Sequence, residues 1–169
     1  DILDLGKQLQ PIGMLVVLDS ILNRITQNRA KGRNTFIFID EIYLLFQHEY
    51  SANFLFTLWK RVRKYGAYCT GITQNVDDLL QSHTARTMLA NSEFIIMLNQ
   101  ASTDRIELAK LLNISDLQMS YITNADAGCG LIKYGSALVP FINRFPQDTK
   151  LYQLMTTRPG EGKFARGRD

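Results

Sequence analysis

The run Thr35-Phe36-Ile37-Phe38-Ile39-Asp40-Glu41 carries the most chemistry in this chain. Its consecutive apolar residues, rich in Ile and Phe, predict a strand buried on both faces. Two carboxylates follow at the C-terminal end, the edge where ligands bind in open parallel sheets. An apolar strand that ends in Asp-Glu is the Walker B pattern. In that pattern the Asp, here Asp40, holds Mg²⁺ through its water shell. The Glu, here Glu41, orients the water that attacks a phosphate. The plainer alternative is a buried strand running into an exposed acidic turn.

Two further features follow in order. Lys60-Arg61-Val62-Arg63-Lys64-Tyr65-Gly66 is a basic helix end, and Gln74 closes the next strand candidate, Tyr68 to Thr73. Neighbouring strands of a parallel sheet end on the same edge, so Asp40, Glu41 and Gln74 can share one cleft. The Gln74 amide can donate to a phosphate oxygen and accept from the attacking water, as a γ-phosphate sensor does. As a lone feature it reads more readily as a polar turn residue. The basic cluster also has an ordinary explanation, since cations at a helix C-terminus gain roughly 0.3–1 kcal/mol each from the macrodipole. That helix end lies opposite the sheet's C-terminal edge, so the charges of Arg61 and Arg63 face away from this subunit's own site and could reach a neighbour's. An arginine finger given in trans raises hydrolysis by roughly 10³–10⁵-fold.

The elements that must position these groups are legible along the chain. Leu9 to about Arg29 predicts a helix with Leu15, Leu18, Leu22 and Ile25 on one face and Pro11 in its first turn. Gly32 marks the turn into the Asp-Glu strand. Ser51 predicts the cap of a second helix to Tyr65, with Leu55, Leu58, Trp59 and Val62 inward and Gly66 at its end. Tyr43, Leu44, Leu45 and Phe46 follow Glu41 and are expected to close the cleft floor. Short helical pieces fall at Asp77–Leu80 and Thr84–Leu89, and Phe94–Leu98 predicts a third buried strand. Ser102 or Thr103 caps a helix carrying Ile106, Leu108, Leu111 and Leu112, and Ser115 caps another. Gly128–Tyr134 and Ala137–Ile142 predict a β-hairpin turning at Gly135-Ser136. Ile2–Leu5 reads as a short strand. Helices alternating with apolar strands predict an α/β fold with a mostly parallel sheet up to the hairpin.

Composition sets bounds. The 169 residues fit one compact domain or a large part of one, and 46% hydrophobic and 21% charged residues are ordinary for a globular protein. A net charge of +3 is too weak to argue nucleic-acid binding. Cys69 and Cys129 sit in apolar surroundings and predict reduced, buried thiols. His48 and His83 lack metal-ligand spacing. No stretch is apolar and long enough to cross a bilayer, so membrane association is expected only through partners. The sequence contains no G-x-x-x-x-G-K-[ST]: Gly6-Lys7 runs into Gln8 and Gly162-Lys163 into Phe164. A nucleotidase needs such a loop to cradle phosphates. With a start at Asp1, the expectation is a C-terminal fragment whose phosphate loop lies upstream.

Together, Thr35–Phe46, Arg63–Gly66 and Gly71–Asn75 resemble the FtsK/HerA-like branch of P-loop ATPases. More closely, the chain is similar to the C-terminal part of the VirB/Tra-type ATPases of conjugation and type IV secretion, with Gly13–Asp19, Pro140–Pro146 and Leu151–Pro159 adding to the likeness. The resemblance implies a RecA-like sheet flanked by helices over residues 1–157, a partial domain without its phosphate loop, and a flexible tail over 158–169. It implies ATP and Mg²⁺ as cofactors of the intact parent, with Asp40 at the metal, Glu41 as catalytic base and Gln74 as sensor. Arg63 is the first choice for a trans finger and Arg61 the second. It further implies self-association as dimer or hexamer, other secretion-channel components as partners, and a place at the inner face of the cytoplasmic membrane. Two alternatives accompany this reading: a non-hydrolysing docking module of the secretion complex, motivated by the missing loop, and a motor acting directly on DNA.

Overall fold

A computed structural model describes residues 6–74, 76–100 and 102–156. The expected Ile2–Leu5 strand and the 158–169 tail lie outside them. The chain falls into two compact units, Asp1–Ser92 with Lys110–Leu112, and Glu93–Ala109 with Asn113–Asp169.

The first unit opens with helix α1, Gly6–Ala30. It begins a turn earlier than expected, so Pro11 lies beyond the first turn. Leu18 and Ile25, two turns apart, are buried, whereas Leu22 is exposed. The inward stripe is therefore narrower than four leucine-type positions. Gly32, at φ 65°, turns the chain. The Asn28 amide donates to Thr35 Oγ1 at 3.0 Å and ties the end of α1 to the start of the next strand.

Strand β1, Thr35–Ile39, pairs in parallel with β2, Ala67–Gly71, in the register Thr35↔Ala67 through Ile39↔Gly71. Between them runs α2, Glu49–Arg61, continued by a 3-10 turn at Val62–Tyr65. Ile37 and Ala67 face the helices and form a core with Ile25, Leu58 and Val62. The opposite face is open, because Phe36 and Phe38 are 64% and 69% exposed. This corrects the expectation of a strand buried on both faces. Side chains alternate across a strand, and α1 and α2 both pack on the Ile37 side.

Helix α2 starts before Ser51, with His48 as its N-cap residue. Ser51 is instead buried, and its hydroxyl donates within the turn, lying 2.5 Å from the Leu45 carbonyl and 3.0 Å from that of His48. The helix end follows expectation. Gly66 takes the left-handed conformation, φ 65° and ψ 34°, and its N–H points back to the Arg63 and Val62 carbonyls. Only glycine enters that region at little steric cost. Helices α3, Val76–Gln81, and α4, His83–Ala90, complete this unit's described elements, Ser82 capping α4 through the Ala85 N–H.

The second unit is built on an antiparallel sheet of β3, Phe94–Met97, β4, Cys129–Tyr134, and β5, Ala137–Ile142, in the order β3-β4-β5. The hairpin forms as expected, with Tyr134 opposite Ala137 across Gly135-Ser136 and Gly135 at φ 56°. Strand β3 departs from the expected parallel arrangement, pairing antiparallel with β4. It is also half-open rather than buried, with Phe94 and Ile96 exposed and Met97 inward. Close packing of β3 on β4 needs Gly130, where a Cβ would run into the Met97 carbonyl. In helix α5, Ser102–Leu112, Leu108 and Leu112 are buried and Ile106 is exposed. Ser115 caps α6, Asp116–Met119, in a reciprocal capping box with Gln118. A last short helix, α7, spans Lys150–Met155.

Candidate nucleotide site

The ladder between β1 and β2 does not stop at the last strand residues. The Ile72 N–H donates to the Ile39 carbonyl at 2.8 Å, and the Ile42 N–H donates to the Ile72 carbonyl at 3.0 Å. These two bonds bracket Asp40-Glu41 and fasten the pair to the segment that leads into Gln74. The structure thus places Asp40 and Glu41 at the C-terminal tip of β1, with Gln74 two residues past the bridging Ile72 and beyond the end of β2 at Gly71, so it does not close that strand as expected. Asn75 lies outside the described residues.

Within the turn, Glu41 sits in the left-handed region at φ 49° and ψ 46°. A non-glycine residue there stores strain on the order of 1–3 kcal/mol and persists only where its surroundings hold it. Here the holding contacts are visible. The Glu41 N–H donates to Asp40 Oδ1 at 3.0 Å, and the 3-10 turn Ile42–Phe46 follows directly. Ile42 drops into a buried cluster with Leu55, Leu79, Ala85 and Met88, against which Tyr43, Leu45, Phe46 and Trp59 pack. Leu44 alone of that turn faces outward. The turn is anchored from below by its apolar side chains, while Asp40 remains exposed and Glu41 half-buried. Trp59 belongs to this support, its Nε1–H donating to Ser92 Oγ at 3.3 Å.

Arg61 and Arg63 are at the other end of the strands. The Thr35 N–H donates to the Gly66 carbonyl at 3.1 Å, which places the end of the basic segment beside the first residue of β1. A five-residue strand separates that edge from Asp40, about 13–17 Å at 3.3 Å per residue. Both arginines are exposed. Arg61 also borders a groove of about 260 Å³ lined mainly by Leu22, Ile25, Phe54, Leu58 and Tyr65. That groove contains none of the acidic or sensor candidates. Lys60 Nζ lies 3.9 Å from the centre of the Phe56 ring and Arg29 sits over Tyr65 at 5.2 Å, so part of the basic surface is held by aromatic faces.

The donor set fits a hydrated divalent cation. Mg²⁺ keeps several waters and takes one or two carboxylates plus phosphate oxygens. Among the described residues no group of three or more His, Cys, Asp or Glu side chains could hold a metal by itself. Neither cysteine forms a disulfide, and burial pushes the Cys69 thiol up to about 11. Ile42 and Gly71 lie within the segments that carry the resemblance, but their role in shaping the turn is not legible from motif spacing. The available signal is an isolated glycine at a strand end, which marks close approach of another group.

A parallel pair packed on one face by helices, with adjacent carboxylates at one tip and a glutamine shortly after the next strand, has the layout of part of a P-loop nucleoside triphosphatase core. The TraG P-loop domain matches residues 1–133. The chain belongs to that family, among the Tra/VirB-type conjugation ATPases. Among solved structures it is similar to VirB4 of Thermoanaerobacter pseudethanolicus, at 26% identity and a TM-score of 0.68. That match covers 77% of this chain and 36% of the other, so the chain spans about a third of that relative's length. A search of curated proteins gives no match. No helix among the described residues is long and apolar enough to cross a membrane.

Proposed function

We propose that the protein carrying this segment hydrolyses ATP and uses the energy to drive transfer of DNA or protein through a conjugation or type IV secretion channel. The observation that supports the reading is the double backbone bridge Ile39–Ile72–Ile42, which brackets Asp40 and Glu41 and ties them to the segment that leads into Gln74. In this reading Asp40 holds the hydrated Mg²⁺, and Gln74 contacts the terminal phosphate. Glu41, in a turn fixed before substrate arrives, orients water and accepts its proton. Mg²⁺, when bound with ATP, would neutralise charge that develops on the transferred phosphoryl group. Phosphate cradling belongs to a glycine-rich loop that these residues do not include. The 169-residue chain alone is therefore expected to show no turnover.

Subunits assemble as dimers or hexamers at the inner face of the cytoplasmic membrane. The basic edge of one subunit then presents Arg63, with Arg61 in reserve, to the carboxylate edge of the next. The placement of the two edges on opposite ends of β1 and β2 supports this head-to-tail order. ATP turnover by the full-length protein tests the reading: Asp40→Ala should abolish Mg²⁺-dependent hydrolysis. Turnover indifferent to Asp40 contradicts the assigned site, whereas a full-length protein that shows no turnover at all favours the non-hydrolysing docking role.

A further inference from the structure

We infer that Gly71 is a positioning residue for Glu41, acting through the side chain of Ile42. The inference rests on the roles of Asp40 and Glu41 proposed above. Gly71 is the last residue of β2 and lies opposite Ile39 in the register. Its φ is outside the left-handed region, so its backbone could carry any side chain. Space is what forbids one. A Cβ at Gly71 would lie 2.6 Å from Ile42 Cδ1 and 3.4 Å from Ile42 Cγ2. Ile42 cannot simply turn away, because it is only 5% exposed and belongs to the cluster of Leu55, Leu79, Ala85 and Met88.

The contact matters because of what flanks it. Ile42 follows Glu41, whose left-handed conformation is held on both sides. On one side the Ile42 N–H reaches the Ile72 carbonyl, and on the other Ile72 bonds back to Ile39. Gly71 and Ile72 are consecutive, so the notch that receives the Ile42 side chain and the bridge that receives its N–H belong to one dipeptide. Filling the notch lifts Ile42 and, with it, the strained residue that aims the water. Displacing a catalytic group by about 1 Å can cost on the order of 10²-fold in rate.

The test uses the full-length protein and compares Gly71→Ala with the double variant Gly71→Ala/Ile42→Val, which removes the colliding Cδ1 atom. Gly71→Ala is expected to lower kcat about 10- to 100-fold while half-saturation by ATP stays within about twofold. The double variant should recover most of the lost kcat. Ile42→Ala, which empties the notch from the other side, should reproduce the kcat loss even if Gly71→Ala proves unstable. Wild-type kcat in Gly71→Ala and Ile42→Ala, or no recovery in the double variant, overturns the inference. Amide hydrogen exchange on the 169-residue chain separates it from the hydrolytic reading. The Ile42 and Ile72 amides should exchange faster in Gly71→Ala and regain protection in the double variant. If exchange responds in this way but Glu41→Gln leaves turnover intact, the notch stands as a structural clasp, but Gly71 is no positioning residue for catalysis and the assigned chemistry fails. Unchanged exchange in Gly71→Ala sinks the notch itself.

Discussion

Phe36 and Tyr68 stack across the parallel strand pair, ring centroids 5.0 Å apart and planes 14° from parallel, on the face that α1 and α2 leave open. Phe38 stands beside them on the same face. Parallel strands are ordinarily covered on both faces, and exposed aromatic patches favour association. The 169-residue chain is therefore expected to self-associate as its concentration rises, and Phe36→Ser/Phe38→Ser to shift it toward monomer. Sedimentation velocity over a concentration series checks this. A wild-type chain that stays monomeric throughout contradicts it.

Cys69 shares the other, buried side of β2, and burial raises its thiol from 9.0 to about 11. At pH 8 its thiolate fraction is then roughly a hundredfold below that of an ordinary thiol, so iodoacetamide should label it correspondingly slowly. The linkage sign follows from the raised value. The folded state holds the proton more tightly, so this contribution to stability is complete below pH about 9 and is lost as pH rises toward 11. Denaturation midpoints of wild type and Cys69→Ala should converge over that window. Rapid labelling in the native protein would contradict the burial.

The proposed role of Arg63 in trans, a strand's length from Asp40, predicts a further outcome. Arg63→Ala subunits should lose turnover, and so should Glu41→Gln subunits. Mixed assemblies should regain part of it, because one subunit contributes the intact carboxylate edge and its neighbour the intact arginine. Hydrolysis rates across mixing ratios measure this. Strict additivity of two inactive pools, with no regain at any ratio, argues that Arg63 does not act in trans.

Much of the fold was legible because its signals are local. The hairpin turn needs a small residue of positive φ, and Gly135 supplies it. The end of the basic helical segment needs the same, and Gly66 supplies it. Ser115 and Gln118 form their capping box within four residues. What escaped depends on pairing and packing that residue type does not encode. An apolar run such as Phe94–Met97 fits parallel and antiparallel partners equally, and only its pairing with β4 decides. The apolar run at β1 does not say which faces are covered, so the exposure of Phe36 and Phe38 could not be read from it. Ser51 has the type of a cap, yet the Leu45 and His48 carbonyls claim its hydroxyl. In the candidate site the carboxylates and Gln74 stood out by residue type. Their bracing by Ile42, Ile72 and Gly71 did not, because it is made of backbone bonds and of space.

The most direct test is Glu41→Gln in the full-length protein, with ATP binding and ATP hydrolysis measured on the same preparation. Glutamine keeps the shape and hydrogen-bonding reach of glutamate but cannot take a proton from water. Hydrolysis should fall by at least about a hundredfold while nucleotide affinity stays near wild type. Wild-type hydrolysis in Glu41→Gln would show that the strained carboxylate at the end of β1 is not the base, and the catalytic account would fail with it.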